Sequence, residues 1–101
     1  MSETLNFLDE LEAVIRERLA GSSDSSYTAR LVASGRTRVA QKVGEEAVEL
    51  ALAATVGDRD EQLEEAADLL FHMLVLLNAN DLSLADVVEL LRRRHEAANT
   101  P

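Results

Sequence analysis

The segment from Ala66 to Leu77 constrains the fold more than any other part of the sequence, because every residue in it is apolar except Asp68 and His72. A helix on a protein surface carries a broad polar face, and this segment has none. It is therefore typical of a buried helix. Charged carboxylates inside such a helix are unfavourable unless a cation or a metal ion accompanies them, so we expect the acids of this helix to have a partner.

The rest of the chain also favours helices. The only proline is Pro101, so none interrupts a helix. With three aromatic residues in the chain, the core must come from leucine, valine and alanine, which suit packed helices better than a sheet. Apolar residues at helical spacing, separated by turn signals, predict four helices and one short helical segment. The helices cover about residues 5–20, 36–56, 58–79 and 83–95, and the short segment covers 27–34.

These segments predict a single all-α domain over residues 1–101, a four-to-five-helix antiparallel bundle whose tail at 97–101 we expect to fray. Capping boxes are predicted at the starts of the last two helices, Asp58 with Glu61 and, as a weaker signal, Ser83 with Asp86. A domain of this length buries only about two-thirds of its unfolded surface. Dimerisation is an ordinary way to enlarge such a core, and we expect a homodimer.

Charge and composition exclude several classes of partner. The chain of 101 residues carries a formal net charge of −9, which argues against binding to nucleic acid and to anionic membrane surfaces. It contains no cysteine, which excludes disulfides and thiolate metal sites. We find neither a basic-then-apolar leader nor an apolar run long enough to cross a bilayer, and we expect a cytoplasmic protein.

Two of the predicted helices carry an acidic strip bounded by apolar residues. Glu46 falls nearest the apolar face of its helix, so we expect it to point furthest inward. Carboxylates that face each other in a low-dielectric interior repel strongly, and one or more divalent cations would relieve that repulsion. The two strips consist of Lys42, Glu45, Glu46 and Glu49, and of Glu61, Glu65, Asp68 and His72.

The residue types narrow the chemistry. Carboxylate oxygens suit magnesium, manganese or calcium rather than zinc, and acids three residues apart on a helix can converge on one ion. Magnesium also binds phosphate oxygens, as in most phosphoanhydride chemistry. Taken alone, the acids at 45–49 could instead form a solvated helix face, but that does not explain Asp68 on an apolar helix. A candidate phosphate clamp precedes the acids and consists of Arg30, Arg36, Arg38 and Lys42.

Several stretches resemble known enzymes. The residues at 45–49 followed by those at 65–68 resemble the E-E-x-x-E…E-x-x-D signature of the all-α nucleotide pyrophosphatases, the MazG-like superfamily. Within that superfamily, Ser26–Leu31, Lys42–Glu46, Ala66–His72 and Leu74–Leu77 are similar to the phosphoribosyl-ATP pyrophosphatases. The similarity covers residues from about 5 to 94. No segment resembles the cyclohydrolase that is fused to this activity in some organisms, and we expect that step to lie in another protein.

The resemblance implies a dimeric helical bundle with its active site near the subunit interface. It also implies magnesium-dependent hydrolysis of phosphoribosyl-ATP to phosphoribosyl-AMP and pyrophosphate, the second step of histidine biosynthesis, with manganese as a possible substitute metal. Glu45 matches the leading acid of the signature, and we divide its expected role between metal contact and activation of the water. The resemblance implies a catalytic role for the adjacent Glu46 as well. The acids that match the metal ligands of the family are Glu46, Glu49, Glu65 and Asp68.

The remaining site predictions concern substrate contacts and one histidine. By the resemblance, Lys42 and Arg30 would hold phosphate oxygens, and Tyr27 and Thr28 would contact the substrate, although Tyr27 could equally be a packing residue. His72 follows Asp68 by one helical turn, and we expect it to orient that acid or to serve the structure rather than to bind metal. Two other functions stay open. One is a house-cleaning nucleoside triphosphate pyrophosphatase, and the other is a non-enzymatic helical module that dimerises or binds a partner helix.

Overall fold

The computed structural model describes residues 3–21 and 26–99, and within them all regular secondary structure is helical. The all-α prediction is confirmed, and the short segment after the first loop is a helix in its own right. Most of the predicted loop at 21–26 and the two chain ends lie outside the described residues. The helices are α1 (Glu3–Ala20), α2 (Tyr27–Ala33), α3 (Arg36–Val56), α4 (Arg59–Ala79) and α5 (Leu84–Ala98).

Side-chain caps fix where the last two helices begin. The Asp58 carboxylate accepts the Glu61 N–H at 2.9 Å at the start of α4. At the start of α5 the exchange is reciprocal, because Ser83 Oγ accepts the Asp86 N–H and Asp86 Oδ2 accepts the Ser83 N–H. The fuller box is thus the one with the weaker sequence signal. The carboxylate of Glu61 lies against Gly57 instead, where a Cβ would stand 2.9 Å from Glu61 Oε2.

The C-terminal helix is longer than the sequence predicted. Helix α5 continues through Ala97 and Ala98, the first two residues of the tail whose fraying stays a prediction. Alanine has the highest intrinsic helix propensity. In addition, Asn99 Nδ2 donates to the main-chain carbonyl of His95 at 3.0 Å, which satisfies a carbonyl of the last turn. Residues 100–101 lie outside the described part of the chain.

The antiparallel hairpin of α3 and α4 forms the body of the fold. The two helices are joined through Gly57 and Asp58, and they make by far the most extensive contact between elements. A connection this short makes neighbouring helices antiparallel. Helix α1 packs on α4, and α2 lies against α1 and α3. The buried apolar core joins all four of these helices and consists of Ile15, Leu31, Val39, Leu74 and Val75.

A single chain leaves much apolar surface uncovered. Helix α4 is not buried all round as expected, since Leu63 is 55% exposed and Asp68 is also exposed. On α3, the apolar face of Val48, Leu52 and Val56 is exposed by 60%, 58% and 85%. The radius of gyration is 15.5 Å, against about 13 Å for a compact domain of this length. The uncovered apolar residues lie on both helices of the α3–α4 hairpin.

Helix α5 is held mainly at its first turn, and no residue of it is buried. The holding group is Glu12 of α1, which is only 5% exposed. Its Oε2 accepts the main-chain N–H of Leu84 at 2.8 Å and the side-chain amide of Asn78 at 2.9 Å, and its Oε1 lies 3.3 Å from the Arg16 guanidinium. We call these four residues the α5 joint. The sequence analysis did not predict it.

No helix in the described ranges combines the length and the apolar character that crossing a membrane requires.

Candidate active site

Three carboxylates converge where α3 faces α4. Glu46 and Glu49 of α3 and Glu65 of α4 each place one carboxylate oxygen within 4.8 Å of the others. Glu46 and Glu49 share a face because they are three residues apart on one helix, and the antiparallel hairpin brings Glu65 opposite them. We call these three residues the acid cluster. The sequence predicted all three as metal ligands, and the structure brings them together.

Glu46 is the inward-pointing member of the cluster, as predicted. The residue is 6% exposed. One of its oxygens, Oε1, lies 3.5 Å from the Lys42 ammonium. The other, Oε2, is buried and has no hydrogen-bond partner among the described residues. A buried carboxylate oxygen without a partner is strongly unfavourable, so this atom fits a site for a cation. A donor set of oxygens only suits a hard divalent cation such as magnesium, manganese or calcium.

Crowding of like charges is visible at Glu65. Burial raises the pKa of Glu65 above its usual value, and the charges of Glu49, Glu46 and Asp68 and a hydrogen bond with Glu49 raise it further. The shift means that the fully ionised cluster is unfavourable by itself. A bound divalent cation would reverse the effect, because it favours the ionised form of every acid around it.

Asp68, the fourth predicted ligand, is close to the cluster but not part of it. It is exposed and lies one turn after Glu65 on α4. It is near enough for its charge to act on Glu65. The three carboxylates of the acid cluster therefore converge without Asp68, and its role as a ligand stays a prediction.

Lys42, the only lysine in the chain, lies at the edge of the acid cluster. Its ammonium stands 3.5 Å from Glu46 Oε1 and 3.7 Å from Glu45 Oε1. Burial lowers its pKa, but the hydrogen bond and charge of Glu46 outweigh this, and Tyr27 and Glu45 add to the rise. The net result is a raised pKa, so Lys42 is a permanent cation beside the cluster. A cation in this place can hold an anionic phosphate oxygen.

Glu45 is not brought into the acid cluster. It is exposed and accepts a hydrogen bond from Gln41 Nε2 at 2.8 Å. That hydrogen bond lowers the pKa of Glu45, with further lowering from the charges of Lys42 and Arg38. Glu45 is therefore an ionised, water-accessible carboxylate next to Lys42. Its predicted role, divided between metal contact and activation of the water, stays a prediction.

His72 makes two side-chain hydrogen bonds, one within α4 and one that joins α4 to α2. Its Nδ1 lies 2.7 Å from the main-chain carbonyl oxygen of Asp68, and its Nε2 lies 2.7 Å from the hydroxyl of Tyr27. The expected link between His72 and Asp68 exists, but it involves the main chain and not the carboxylate. The contact with Tyr27 spans 45 residues of sequence, and no local pattern could have predicted it.

The other predicted substrate residues differ in their accessibility. Thr28 is 6% exposed, whereas Tyr27 is 44% exposed, so only Tyr27 offers its side chain to a ligand without rearrangement. Arg30 of α2 is exposed and engages other groups in the structure. Arg36 and Arg38 are exposed at the start of α3, and Arg38 is near enough to lower the pKa of Glu45. Of the predicted basic cluster, Lys42 therefore contacts the acid cluster, and Arg38 lies near Glu45.

A cavity of about 520 Å³ lies elsewhere, between α1, the end of α4 and the start of α5. Its walls include Arg16 and Asn78 of the α5 joint. None of the predicted site residues lines it, so its size carries no argument for catalysis. The acid cluster is the better candidate because its chemistry is specific, with three converging acids and an unsatisfied buried oxygen.

Comparison with known proteins connects this geometry to a family. The sequence profile described as Phosphoribosyl-ATP pyrophosphohydrolase matches residues 8–95. The chain is 57% identical over 90 residues to the Histidine biosynthesis bifunctional protein HisIE of Shigella sonnei. These 90 residues make up 89% of this chain and 44% of the relative. The protein of the same name from Yersinia pestis is 55% identical over 91 residues, or 90% of this chain and 45% of the relative. The chain thus spans less than half the length of these relatives.

Proposed function

The chain belongs to the phosphoribosyl-ATP pyrophosphohydrolase family, and on that premise we propose that it hydrolyses phosphoribosyl-ATP to phosphoribosyl-AMP and pyrophosphate, the second step of histidine biosynthesis. The observation that carries the proposal is the acid cluster, in which three carboxylates converge and one buried oxygen of Glu46 has no partner in the described structure. We also propose the cytoplasm as the compartment of this biosynthetic step.

Magnesium, with manganese as a substitute, is the metal we propose for the acid cluster. Glu46, Glu49 and Glu65 would hold it, and Asp68 is the nearest further acid. When bound, the metal neutralises part of the triphosphate charge and lowers the pKa of a coordinated water. The unsatisfied oxygen of Glu46 and the raised pKa of Glu65 support a cation at this place.

The side chains around the cluster suggest how the reaction proceeds. A water oxygen bonds to phosphorus, the bond between the α and β phosphoryl groups breaks, and pyrophosphate leaves. Lys42 holds phosphate oxygens, since its raised pKa keeps it cationic. Glu45 accepts the proton of the water, because it is ionised, exposed and adjacent to Lys42. Glu46 fixes Lys42 from the buried side.

We propose that the chain works as a homodimer. The exposed apolar face of α3 and Leu63 of α4 border the hairpin that carries the acid cluster, and helix α5 has no buried residue. Apolar faces of this kind mark interaction surfaces. Sedimentation of the wild type should give twice the monomer mass of 11.0 kDa, and Leu52→Asp should shift it to the monomer. A monomeric wild type at micromolar concentration would contradict the dimer.

Pyrophosphate release from phosphoribosyl-ATP, with and without magnesium, tests the activity. The panel of substrates also includes ordinary nucleoside triphosphates. The variants are Glu46→Gln and, as a control, Glu64→Gln, which replaces an exposed glutamate next to Glu65 of the acid cluster. We expect magnesium-dependent turnover of phosphoribosyl-ATP that Glu46→Gln loses and Glu64→Gln keeps. Preference for ordinary triphosphates would indicate nucleotide house-cleaning instead. A folded protein that acts on none of these substrates would favour the non-enzymatic helical module.

A further inference from the structure

The direction of one hydrogen bond at His72 is set by chemistry. The main-chain carbonyl of Asp68, 2.7 Å from Nδ1, can only accept a hydrogen bond. The proton of this bond therefore sits on His72 Nδ1. The imidazole ring is 7% exposed, and it is fixed further by edge-on contacts with Phe71 and Tyr27. These contacts therefore fix both the orientation of the His72 ring and the nitrogen that carries its proton.

This tautomer determines what the Tyr27 hydroxyl can do. In a neutral imidazole whose Nδ1 carries the proton, Nε2 is an acceptor. The hydroxyl of Tyr27, 2.7 Å away, therefore donates its proton to Nε2. A phenol has one proton to donate, so the remaining contacts of the Tyr27 oxygen must be to donors. Tyr27 can no longer donate to a phosphate oxygen, which itself is only an acceptor.

The Tyr27 side chain lies where a substrate can reach it. It is 44% exposed, and it lies close enough to Lys42 of the predicted phosphate clamp to influence the pKa of that ammonium. Lys42 in turn contacts Glu46 of the acid cluster. Tyr27 is therefore near the place where, under the proposed function, the phosphates of the substrate would contact Lys42.

We propose that His72 is a positioning residue that makes Tyr27 an acceptor-only contact, and that Tyr27 recognises a sugar hydroxyl of the substrate and not its phosphates. The sugar is the part of a nucleotide that carries hydroxyl donors next to the phosphate chain. The identity of the substrate rests on the proposed function. The tautomer and the direction of the hydrogen bond do not, because they follow from the two contacts of His72 alone.

Deoxy analogues of phosphoribosyl-AMP separate these roles, because they keep its phosphates and each lacks one sugar hydroxyl. In calorimetric titrations with magnesium present, Tyr27→Phe should weaken binding of phosphoribosyl-AMP about fivefold, the size of one neutral hydrogen bond. Binding of pyrophosphate, and of the deoxy analogue that lacks the recognised hydroxyl, should stay unchanged. A fivefold loss that persists in every deoxy analogue would show contact with a phosphate and would overturn the proposal. Unchanged binding of phosphoribosyl-AMP would also overturn it, because the Tyr27 oxygen would then serve only the protein.

Two replacements of His72 test the positioning role. His72→Phe keeps an aromatic ring but removes both nitrogens, and it should raise KM for phosphoribosyl-ATP about fivefold with kcat nearly unchanged. His72→Gln retains a carbonyl oxygen that can accept from Tyr27, and it should restore most of the loss. Equal losses in both variants, or a loss confined to kcat, would contradict a positioning role.

A spectroscopic readout keeps the proposal testable apart from turnover and from the folding of the variants. Nitrogen-15 NMR of wild-type His72 should show the proton on Nδ1 and none on Nε2 at pH 8. A proton on Nε2 would overturn the proposal even if the enzyme proved active. The expected tautomer in a protein without activity on phosphoribosyl-ATP would instead locate the failure in the proposed function.

Discussion

Two glutamates of this chain are equally buried and have opposite surroundings. Glu12 in the α5 joint is 5% exposed and Glu46 in the acid cluster is 6% exposed. Both oxygens of Glu12 are engaged, one by Leu84 and Asn78 and the other by Arg16. Glu46 has Lys42 on one oxygen and no partner for the other in the described structure.

The difference shows that burial alone does not identify a functional carboxylate. Glu12 receives two N–H donors and a guanidinium, so it connects α1 to α4 and α5 and has both oxygens engaged. Glu46 lies beside further acids instead of donors, an arrangement that is unfavourable for the protein alone. We infer that Glu12 contributes to the stability of the fold. We infer that Glu46 lowers the stability of the metal-free protein because its position serves metal binding.

The largest expected effect is on activity at the acid cluster. Glu46→Gln keeps the shape of the side chain but removes the charge, and it should lower kcat/KM for phosphoribosyl-ATP on the order of a hundredfold. Glu12→Gln should leave kcat/KM per folded molecule within about twofold, because the α5 joint touches no residue of the cluster. Steady-state kinetics on both variants checks this, and equal losses in the two would remove the distinction.

The second effect is on stability at the α5 joint. An amide at position 12 loses the charge that faces Arg16 and turns a donor towards it, so Glu12→Gln should lower the free energy of unfolding by about 2 kcal/mol. Chemical denaturation measures this, with the exposed Glu17→Gln of the same helix as the control. A stability equal to that of the control would mean that the joint is not needed to hold α5.

A smaller loss is expected at the capping box of α5. Ser83→Ala removes the oxygen that accepts the Asp86 N–H, and it should lower the free energy of unfolding by about 1 kcal/mol. It should therefore destabilise less than Glu12→Gln in the same denaturation experiment. A larger loss for Ser83→Ala would show that the cap, and not Glu12, is the main attachment of α5.

The pH dependence of the metal-free protein gives the smallest effect, because Glu65 is partly accessible to solvent. The raised pKa of Glu65 means that its ionised form opposes folding, so this penalty is present at neutral pH and fades as pH falls through the raised pKa. Glu65→Gln should therefore raise Tm in EDTA at pH 8, and the gain should disappear towards pH 4. Glu64→Gln is the control. A gain that grows on acidification would contradict the shift.

Local sequence signals were sufficient for the hairpin and its acids. Helical periodicity placed Glu46 on the inner face of α3, and its exposure confirms the orientation. Spacing of three residues put Glu49 on the same face, and the Gly57–Asp58 turn indicated a hairpin that brings Glu65 opposite. These features depend on residues close together in sequence or on one short connection, which is why periodicity and capping rules could predict them.

Features that depend on distant contacts were missed. The α5 joint connects Glu12 to Leu84 across 72 residues, although Glu12 does share a helical stripe with Leu8 and Ile15, and this was the available signal. Asp68 was expected to be buried because α4 is apolar all round, yet one chain does not cover that side of α4. Periodicity reports which residues are apolar and not which neighbour, within the chain or in a second copy, covers them.

The most direct test of the contrast is a thermal melt with and without magnesium on three proteins. For the wild type, magnesium at 100 times its dissociation constant should add about 2.7 kcal/mol to the free energy of unfolding. Glu12→Gln should begin from a lower Tm and gain the same increment, whereas Glu46→Gln should gain none. A full magnesium effect in Glu46→Gln, or its loss in Glu12→Gln, would contradict the assignment of the metal site to the acid cluster.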